Sequence, residues 1–314
     1  MSNQAGNKYR IERLGASNIP AVAQLHTAVY GRAVVPGFFQ KKYATAFTGV
    51  EYTGYIAYQN DQPTAFYAVI PCYIICNDEL ILSAQSADTM THPGHRNKGL
   101  FVELALTTFQ LCKELGIKLL FGFPNQNSLP GFVNKLGWQT AHTMDCFIIH
   151  TSSFSWKATA GKIPVIKTLL GNYKERVLKK YRDNNSRVSN SVHNDGYGGV
   201  YRDDACFAYK TYTDTFVTHA AGSTLWLKAN SILLIGDVNV NADSFDDMIY
   251  ELKKLAGKLG IKQIHFHASP GTTLHGLFAM RFNSIPSFPV IFKLLGEDMQ
   301  TDKIKFTSAD VDTF

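Results

Sequence analysis

Residues 91–101 hold the arrangement of residue types in this sequence that is best suited to chemistry. They read Thr-His-Pro-Gly-His-Arg-Asn-Lys-Gly-Leu-Phe and lie between a β-rich run and a long amphipathic helix. The first turn of a helix has backbone amides without intrahelical acceptors and carries the positive end of the helix dipole, so it favours anions. Gly99 lets the backbone approach a ligand closely, and Arg96 and Lys98 add positive charge. The pattern predicts a pyrophosphate-binding loop.

This loop resembles the acetyl-coenzyme A motif V-x-P-x-x-R-x-x-G-x-G/A of the GNAT (GCN5-related N-acetyltransferase) family. Thr91, Pro93, Arg96 and Gly99 occupy the matching positions, whereas Phe101 stands where the family usually has Gly or Ala. A phenylalanine there is expected to narrow the pyrophosphate pocket or to tilt the helix. An R-x-x-G alone is also common as ordinary helix capping, so the neighbouring segments decide.

Those neighbouring segments agree with the resemblance. Residues 123–128 (Phe-Pro-Asn-Gln-Asn-Ser) resemble the strand-to-helix junction of the family, and residues 135–138 (Lys-Leu-Gly-Trp) resemble its K-x-G-F ending. The resemblance covers about residues 8–150 and implies acetyl-coenzyme A or coenzyme A as co-substrate. Pantetheine is then expected beside the strand before the loop, with an N–H near Met90 polarising the thioester carbonyl. The residues expected at the coenzyme are Met90, Thr91, His95, Arg96, Asn97, Lys98, Gly99, Leu100, Phe101, Asn125 and Ser128.

The candidate catalytic groups are Asp88, Asn125 and the carboxylate of Phe314. A reacting amine is mostly protonated near neutral pH, so a base must remove a proton directly or through water. Asp88 is the first candidate, and a structural acid bonded to nearby backbone is the alternative. Asn125 is expected to bond coenzyme A or an ordered water, or to serve as a turn residue, and Ser128 likewise or as a cap.

Two further positions follow from the resemblance alone. In some tandem relatives a C-terminal carboxylate reaches the active site, which makes Phe314 a candidate, and a frayed tail is the alternative. Many relatives carry a tyrosine that protonates the departing thiolate, and this sequence has Val133 at that position.

Three histidines in the second half carry donor atoms of the kind that bind metals. His265 and His267 alternate onto one face of a strand, and His275 follows. No cysteine or acidic residue accompanies them nearby in the sequence, although metal sites usually include such ligands. We therefore expect no metal and interpret these histidines as the polar lining of a substrate groove.

Length and composition limit the classes of protein to consider. At 314 residues the chain exceeds a usual single domain, so two domains are expected. The 31 Lys+Arg against 25 Asp+Glu suit an anionic ligand but fall short of a nucleic-acid signature. Five cysteines without a CxxC indicate reduced thiols and a cytoplasmic location. A signal-peptide core and a run of about 18 apolar residues are both missing, so neither export by that route nor a membrane span is expected.

Periodicity and turn signals predict the elements that position the loop. In the first half we expect strands at residues 9–14, 53–59, 64–75, 80–91, 117–123 and 138–151, and helices after Ser17 and at residues 38–47, 98–115 and 128–136. The three middle strands form an antiparallel meander. The helix at 98–115 is closed by Gly116 as a C-cap.

A repeat indicates that this order occurs twice. Leu-Gly-Ile-Lys at residues 115–118 recurs at 259–262, each time after an amphipathic helix and before an apolar strand. The second copy is predicted with strands at 224–228, 231–238 and 263–267 and a helix from Ser244 to Leu259. It lacks the R-x-x-G-x-G pattern, so it is expected to bind no coenzyme A.

The sequence thus predicts an α/β (α+β) protein of two tandem GNAT-like domains, each with a mixed, mostly antiparallel sheet flanked by helices. Residues 1–151 form the acyl-coenzyme A domain, 152–195 a basic connector with a helix, and 196–314 the degenerate domain and tail. The connector is either a solvated surface or a contact for a phosphate-bearing or acidic partner.

The resemblance implies N-acetyl transfer to a primary amine of a small molecule. Tandem architecture with a degenerate second half resembles bacterial enzymes that act on amino sugars of surface polysaccharides. Two alternatives stay open, a non-catalytic acyl-coenzyme A sensor and a FemAB-like peptidyltransferase that depends on aminoacyl-tRNA.

Overall fold

Strands from distant parts of the sequence combine into two units in the computed structural model. The structure describes residues 9–152, 164–210, 212–296 and 299–314, without the side chains of 164–167. Unit 1 comprises Met1–Ala141 and Pro289–Thr301, and unit 2 comprises His142–Phe288 and Asp302–Phe314.

Unit 1 begins with an antiparallel meander. Its strands are β1 (Arg10–Arg13), β2 (Thr53–Gln59), β3 (Gln62–Cys76) and β4 (Glu79–Thr91), each paired antiparallel with the next. β5 (Leu119–Gly122) then lies parallel to β4. Asn60-Asp61 and Asn77-Asp78 form the hairpin turns with positive φ, which Asn and Asp tolerate better than most side chains.

Four helices accompany this sheet. They are α1 (Ile19–Tyr30), α2 (Phe38–Tyr43), α3 (Leu100–Glu114) and α4 (Leu129–Leu136). α3 buries Leu104, Thr108 and Cys112, which recur every four residues and therefore share one face. This face packs into a core that includes Tyr67 and Trp138. The longest helix of unit 1 is thus fixed against the sheet, and only the loop of residues 92–99 separates its start from β4.

Unit 2 has the same kind of meander. β8 (Thr215–Ala220), β9 (Ser223–Ala229) and β10 (Leu233–Asn239) are antiparallel, and β11 (Gln263–Ala268) lies parallel to β10. A two-residue strand β7 (Gly199–Val200) precedes them. The helices are α5 (Pro164–Tyr181), α6 (Ser191–Asn194), α7 (Asp204–Lys210), α8 (Phe245–Lys258) and α9 (Thr273–Ala279). Its core collects Phe147, Met248, Leu252, Phe266 and Phe278.

Each unit is completed by a strand from the other half of the sequence. β6 (Gln139–His150) follows α4, yet it pairs antiparallel with β11 in unit 2. β12 (Ser284–Leu294) follows α9, yet its residues 291–294 pair antiparallel with β5 in unit 1. The sequence did not predict β12, because Pro286 and Pro289 each remove a backbone donor and argue against a strand.

The predicted fold class and the order of elements in the first half are confirmed. The helix predicted at 98–115 begins only at Leu100, because Asn97 and Gly99 have φ values of 60° and 83°, outside the helical region. The helix predicted at 38–47 ends at Tyr43. In the second copy β9, β10, α8 and β11 appear in the predicted order, whereas β8 and α9 were not predicted.

The C-terminal residue is buried, so the alternative of a frayed tail is wrong. Phe314 is 0% exposed, and its ring packs edge to face on Trp226 with 5.2 Å between the ring centroids. A Cβ at Gly236 would lie 2.1 Å from the Phe314 ring, so only glycine leaves room for it there. Its carbonyl oxygen accepts a hydrogen bond from Thr213 Oγ1 at 2.6 Å.

The structure bears on the state of the cysteines and on membrane-spanning helices. No cysteine of the five is in a disulfide. In the part of the chain that the structure describes, no helix combines the length and the hydropathy needed to cross a bilayer.

A buried cluster of charges fastens the C-terminal segment in unit 2. Arg202 Nη1 donates to Asp237 Oδ2 at 2.5 Å, and Arg202 Nη2 donates to Asp310 Oδ1 at 2.7 Å. The side chain of Arg202 is 2% exposed and both carboxylates are 0% exposed. Charges buried to this degree are tolerated only when they are paired and hydrogen-bonded.

We expect Arg202→Ala to lower the free energy of unfolding of unit 2 by about 3–5 kcal/mol, because two buried carboxylates lose their counter-charge. Urea unfolding followed by tryptophan fluorescence, with Trp138→Phe as the background so that Trp226 of unit 2 contributes more of the signal, measures the change. Arg187→Ala is the control, since Arg187 and Asp204 form an exposed ion pair at 3.2 Å worth at most about 1 kcal/mol. Equal effects of the two changes would contradict this role of the cluster.

Candidate functional site

The two central strands of unit 1 pair over three residues and then separate. Ser83, Ala84 and Gln85 of β4 match Leu119, Leu120 and Phe121 of β5, after which β5 ends at Gly122 while β4 continues to Thr91. Within the described residues, the last part of β4 therefore has no partner strand on its β5 side. Unpaired main-chain groups at such an opening can bond a ligand.

A β-bulge bends β4 at this opening. The pairing with β3 jumps from Ala68↔Ala87 to Phe66↔Met90, and Asp88 in between has a φ of 48°. A bulge adds an unpaired residue and turns the strand. The end of β4 is thereby directed differently from its paired start.

The Asp88 carboxylate is held by two donors from α2. Its Oδ2 forms an ion pair with Lys42 Nζ at 2.7 Å and accepts a hydrogen bond from Tyr43 Oη at 2.7 Å. The Lys42 side chain is 3% exposed, so its charge depends on this partner. The sequence allows two roles for Asp88, a catalytic base or a structural acid bonded to nearby backbone. In the structure its partners are side chains, and one of its two carboxylate oxygens is engaged.

The loop after β4 is held by its own side chains and by Tyr9, the residue before β1. His92 Nδ1 accepts from the Gly94 amide at 3.2 Å, and Lys98 Nζ donates to the Gly94 carbonyl at 2.9 Å. Tyr9 Oη lies 3.0 Å from His95 Nδ1. These contacts tie the loop to itself and to Tyr9.

The chain enters α3 with a row of backbone amides that lack acceptors. Gly99 is the N-cap with a φ of 83°, and the amide of Glu103 is the first to bond back, to the Gly99 carbonyl at 3.0 Å. The amides of residues 97–102 have no backbone acceptor in the described part of the chain. Such amides at the positive end of a helix dipole form an anion site.

The residues that carry these amides line a cavity of about 450 Å³. All eleven residues that the sequence placed at the coenzyme line it: Met90, Thr91, His95, Arg96, Asn97, Lys98, Gly99, Leu100, Phe101, Asn125 and Ser128. Arg96, Lys98 and Lys135 make the lining cationic, and the lining residues include no acid. A phosphate-bearing ligand fits this charge. That these residues bind coenzyme A remains a prediction.

Tyr30, at the end of α1, lines the same cavity and was not predicted from the sequence. Burial and then the charge of Asp88 raise the pKa of Tyr30 above its ordinary value, against the opposing effect of Lys42, Arg32 and Arg96. The phenol therefore stays protonated near neutral pH. A lone tyrosine in the last turn of a helix carries no sequence signal for such a role.

Asn125 and Ser128 form a turn, which is one of the two roles expected for them from the sequence. Asn125 Oδ1 accepts from the amides of Asn127 at 2.9 Å and Ser128 at 3.0 Å, and Ser128 Oγ donates to the Asn125 carbonyl at 3.2 Å. They close the far side of the cavity at the start of α4. Their role toward coenzyme A or a water remains a prediction.

Phe101 is accommodated by α4. Its ring packs edge to face on Phe132 with 5.4 Å between the centroids, and a Cβ at Gly131 would lie 3.1 Å from it. The ring thus occupies space that Gly131 leaves open, while Phe101 also lines the cavity. Val133, which stands at the tyrosine position of the family, is not among the lining residues.

The candidate site residues that the sequence analysis named in unit 2, Phe314 and the histidines, do not line this cavity. Phe314 lies in the core described above, and its contacts give no support to a catalytic carboxylate. His275 Nε2 lies 2.9 Å from Asp145 Oδ2. The sequence has no cysteine near His265 and His267, but the strand pairing brings Cys146 beside them in space.

The first half of the chain matches a known domain family. Residues 10–141 match the model described as acetyltransferase (GNAT) domain. No curated protein sequence matches the chain.

Solved structures share the fold over nearly the whole chain. A GCN5-related N-acetyltransferase from Kribbella flavida aligns with a TM-score of 0.57 at 12% identity, covering 93% of this chain and 72% of the other. One from Anabaena variabilis aligns at 0.54 and 11% identity, covering 92% and 73%. N-myristoyltransferase from Saccharomyces cerevisiae, with bound myristoyl-CoA, aligns at 0.59 and 11% identity, covering 98% and 89%.

The family match and the shared fold support an acyltransferase of the GNAT type that uses an acyl-coenzyme A. The part of the chain that matches the GNAT domain model, residues 10–141, carries the opening, the loop and the start of α3.

We expect Arg96→Ala to weaken coenzyme A binding about tenfold or more, because a charge-assisted hydrogen bond to phosphate is worth about 1.5–3 kcal/mol. Isothermal titration calorimetry measures the dissociation constant. Lys113→Ala is the control, since it removes one positive charge from the last turn of α3, at the opposite end of the helix from the loop. An unchanged affinity in Arg96→Ala would remove Arg96 from the site.

Proposed function

We propose that this protein transfers an acyl group, in the first place acetyl, from coenzyme A to a primary amine of a small molecule. The observation that carries the proposal is the opening between β4 and β5 that leads to the unbonded amides of residues 97–102. A diphosphate at the helix and a pantetheine arm in the opening would use both features together.

The thioester would lie along the bulged end of β4. An extended pantetheine can bond to main-chain groups there as an added strand does. An amide near Met90 would donate to the thioester carbonyl, whose oxygen becomes negative as the amine attacks. The fixed bulge at Asp88 matters because such a donor helps only when it is already in place.

The acid and base would come from the side of α1 and α2. The amine nitrogen attacks the thioester carbon, the C–S bond breaks, and a proton leaves the nitrogen. Asp88, through its unengaged oxygen or a water, would receive that proton. Tyr30, whose phenol is protonated, would give its proton to the departing thiolate and so replace the tyrosine that is absent at Val133.

The second half supports a tandem arrangement. The order β9, β10, α8 and β11 in unit 2 repeats the order β3, β4, α3 and β5 in unit 1, with the same antiparallel and parallel pairings. The structure of N-myristoyltransferase, which aligns over 98% of this chain, has bound myristoyl-CoA, so longer acyl groups belong in any donor panel. An amino-sugar acceptor rests on the tandem resemblance alone.

A non-catalytic acyl-coenzyme A sensor is the second candidate, favoured by Val133 at the usual acid position. A FemAB-like peptidyltransferase is less well supported, because it would not require the loop at residues 91–101. Cytoplasmic location is part of the same proposal and rests on the reduced cysteines.

The test incubates the protein with acetyl-coenzyme A or a longer-chain acyl-coenzyme A, each with a panel of amino sugars and other amines. We expect amine-dependent release of free thiol. Coloured thiol reagents follow the release, and mass spectrometry identifies the acylated amine. Catalysis predicts turnover with at least one amine. Binding of acetyl-coenzyme A without turnover on every amine would favour the sensor.

Tyr30→Phe should lower kcat by about a hundredfold, the lower end of the range for a lost general acid, with little change in KM for the acyl donor. Steady-state kinetics with the best amine measure both constants. Tyr250→Phe is the control, since Tyr250 is 58% exposed on α8. Unchanged kcat in Tyr30→Phe would exclude Tyr30 as the proton donor.

A further inference from the structure

The pairing of β6 with β11 places a cysteine and two histidines on one face of the sheet in unit 2. Cys146 is directly opposite His267, and His265 lies two residues before His267 on β11. Opposite residues, and residues two apart, share a face of a sheet. The other face of β11 carries Ile264, Phe266 and Ala268, which pack in the core.

Their donor atoms are close enough for one ion. One atom from each side chain, the Cys146 Sγ and a ring nitrogen from each histidine, lies within 4.8 Å of the others. Cys146 Sγ is 4.0 Å from His265 Nδ1. Zinc distances of about 2.3 Å to sulfur and 2.1 Å to nitrogen require about 3.3–3.6 Å between ligand atoms in a tetrahedron. Side-chain rotations that move these atoms by about 1 Å would reach that geometry.

Each histidine already has a partner on the nitrogen that would point away from an ion. His265 Nε2 lies 3.2 Å from Gln263 Oε1, which leaves its Nδ1 for the ion. His267 Nδ1 lies 2.7 Å from Ser287 Oγ, which leaves its Nε2. Metal-binding histidines are typically oriented by such a bond from the second nitrogen.

Burial is also suited to a small ion. Cys146 is buried, and both histidines are partly buried. The sulfur therefore lies away from bulk water, while each imidazole keeps some contact with solvent. Other histidines of unit 2 are held differently, since His275 lies against Asp145 and His142 Nε2 lies 2.8 Å from Ser269 Oγ.

We propose that Cys146, His265 and His267 bind a zinc ion and leave its fourth position open to water or to a donor atom of a small molecule. Thiolate and imidazole are ligands that zinc prefers, and three protein ligands with one open position are typical of zinc sites that act on a bound molecule. This site is independent of the proposed acyl transfer, which uses residues of unit 1.

Cobalt provides a direct probe of the cluster. The full chain, without a histidine tag and stripped with a chelator, is titrated with Co²⁺ and then with Zn²⁺. We expect one Co²⁺ per chain, a thiolate-to-cobalt charge-transfer band in the near ultraviolet, and loss of that band as Zn²⁺ displaces the cobalt. X-ray absorption of the zinc-loaded wild type should show one sulfur and two imidazoles, and needs no variant.

Cys146→Ser should abolish the charge-transfer band, and Cys146→Ser and His267→Asn should each weaken Zn²⁺ binding at least tenfold. Cys72→Ser and His142→Asn are the controls, which remove a thiol and an imidazole outside the cluster and should leave binding unchanged. Circular dichroism confirms that each variant is folded. A zinc spectrum without sulfur, or equal Zn²⁺ affinity in wild type and Cys146→Ser, would overturn the proposal whatever the acyltransferase assays give.

Discussion

The need of main-chain groups for hydrogen-bond partners organises unit 1. β4 pairs with β5 over three residues and then separates from it. α3 begins with amides that have no backbone acceptor among the described residues. One ligand, extended at one end and anionic at the other, would supply hydrogen-bond partners to both sets of main-chain groups. The bulge at Asp88 keeps the strands apart, and the buried Lys42 that pairs with Asp88 keeps the bulge in place.

Unit 2 repeats the order of strands and helix but closes the corresponding helix start with its own groups. Asn241 accepts from the amide of Asp243, and the amide of Phe245 donates to the Ala242 carbonyl, although the side chain of the N-cap Ser244 makes no capping bond. The first turn of α8 carries two acids, Asp246 and Asp247, whereas the first turn of α3 carries one, Glu103. Carboxylates near the positive end of a helix dipole repel a further anion. This difference agrees with the expectation that only the first half binds coenzyme A.

Local patterns predicted the cavity well because its residues are neighbours in the sequence. The loop, the glycine and the cations lie within residues 91–101, where helix and strand periodicity set their positions. Tyr30 could not be predicted, because its approach to the loop depends on how α1 packs. The Cys146 and His265 pair could not either, since the two residues are 119 positions apart and meet only through strand pairing. β12 was missed because local chemistry, two prolines, opposed a strand that tertiary pairing nevertheless forms.

The exchange of β6 and β12 between the two halves of the sequence affects how the protein is made. Unit 1 needs residues 291–294 beside β5, so the edge of β5 stays bare while the intervening segment is being translated. An exposed strand edge invites pairing with other chains. Unit 1 can therefore be completed only after residue 294 has been synthesised, and a fragment ending near residue 150 would lack the strand that covers β5.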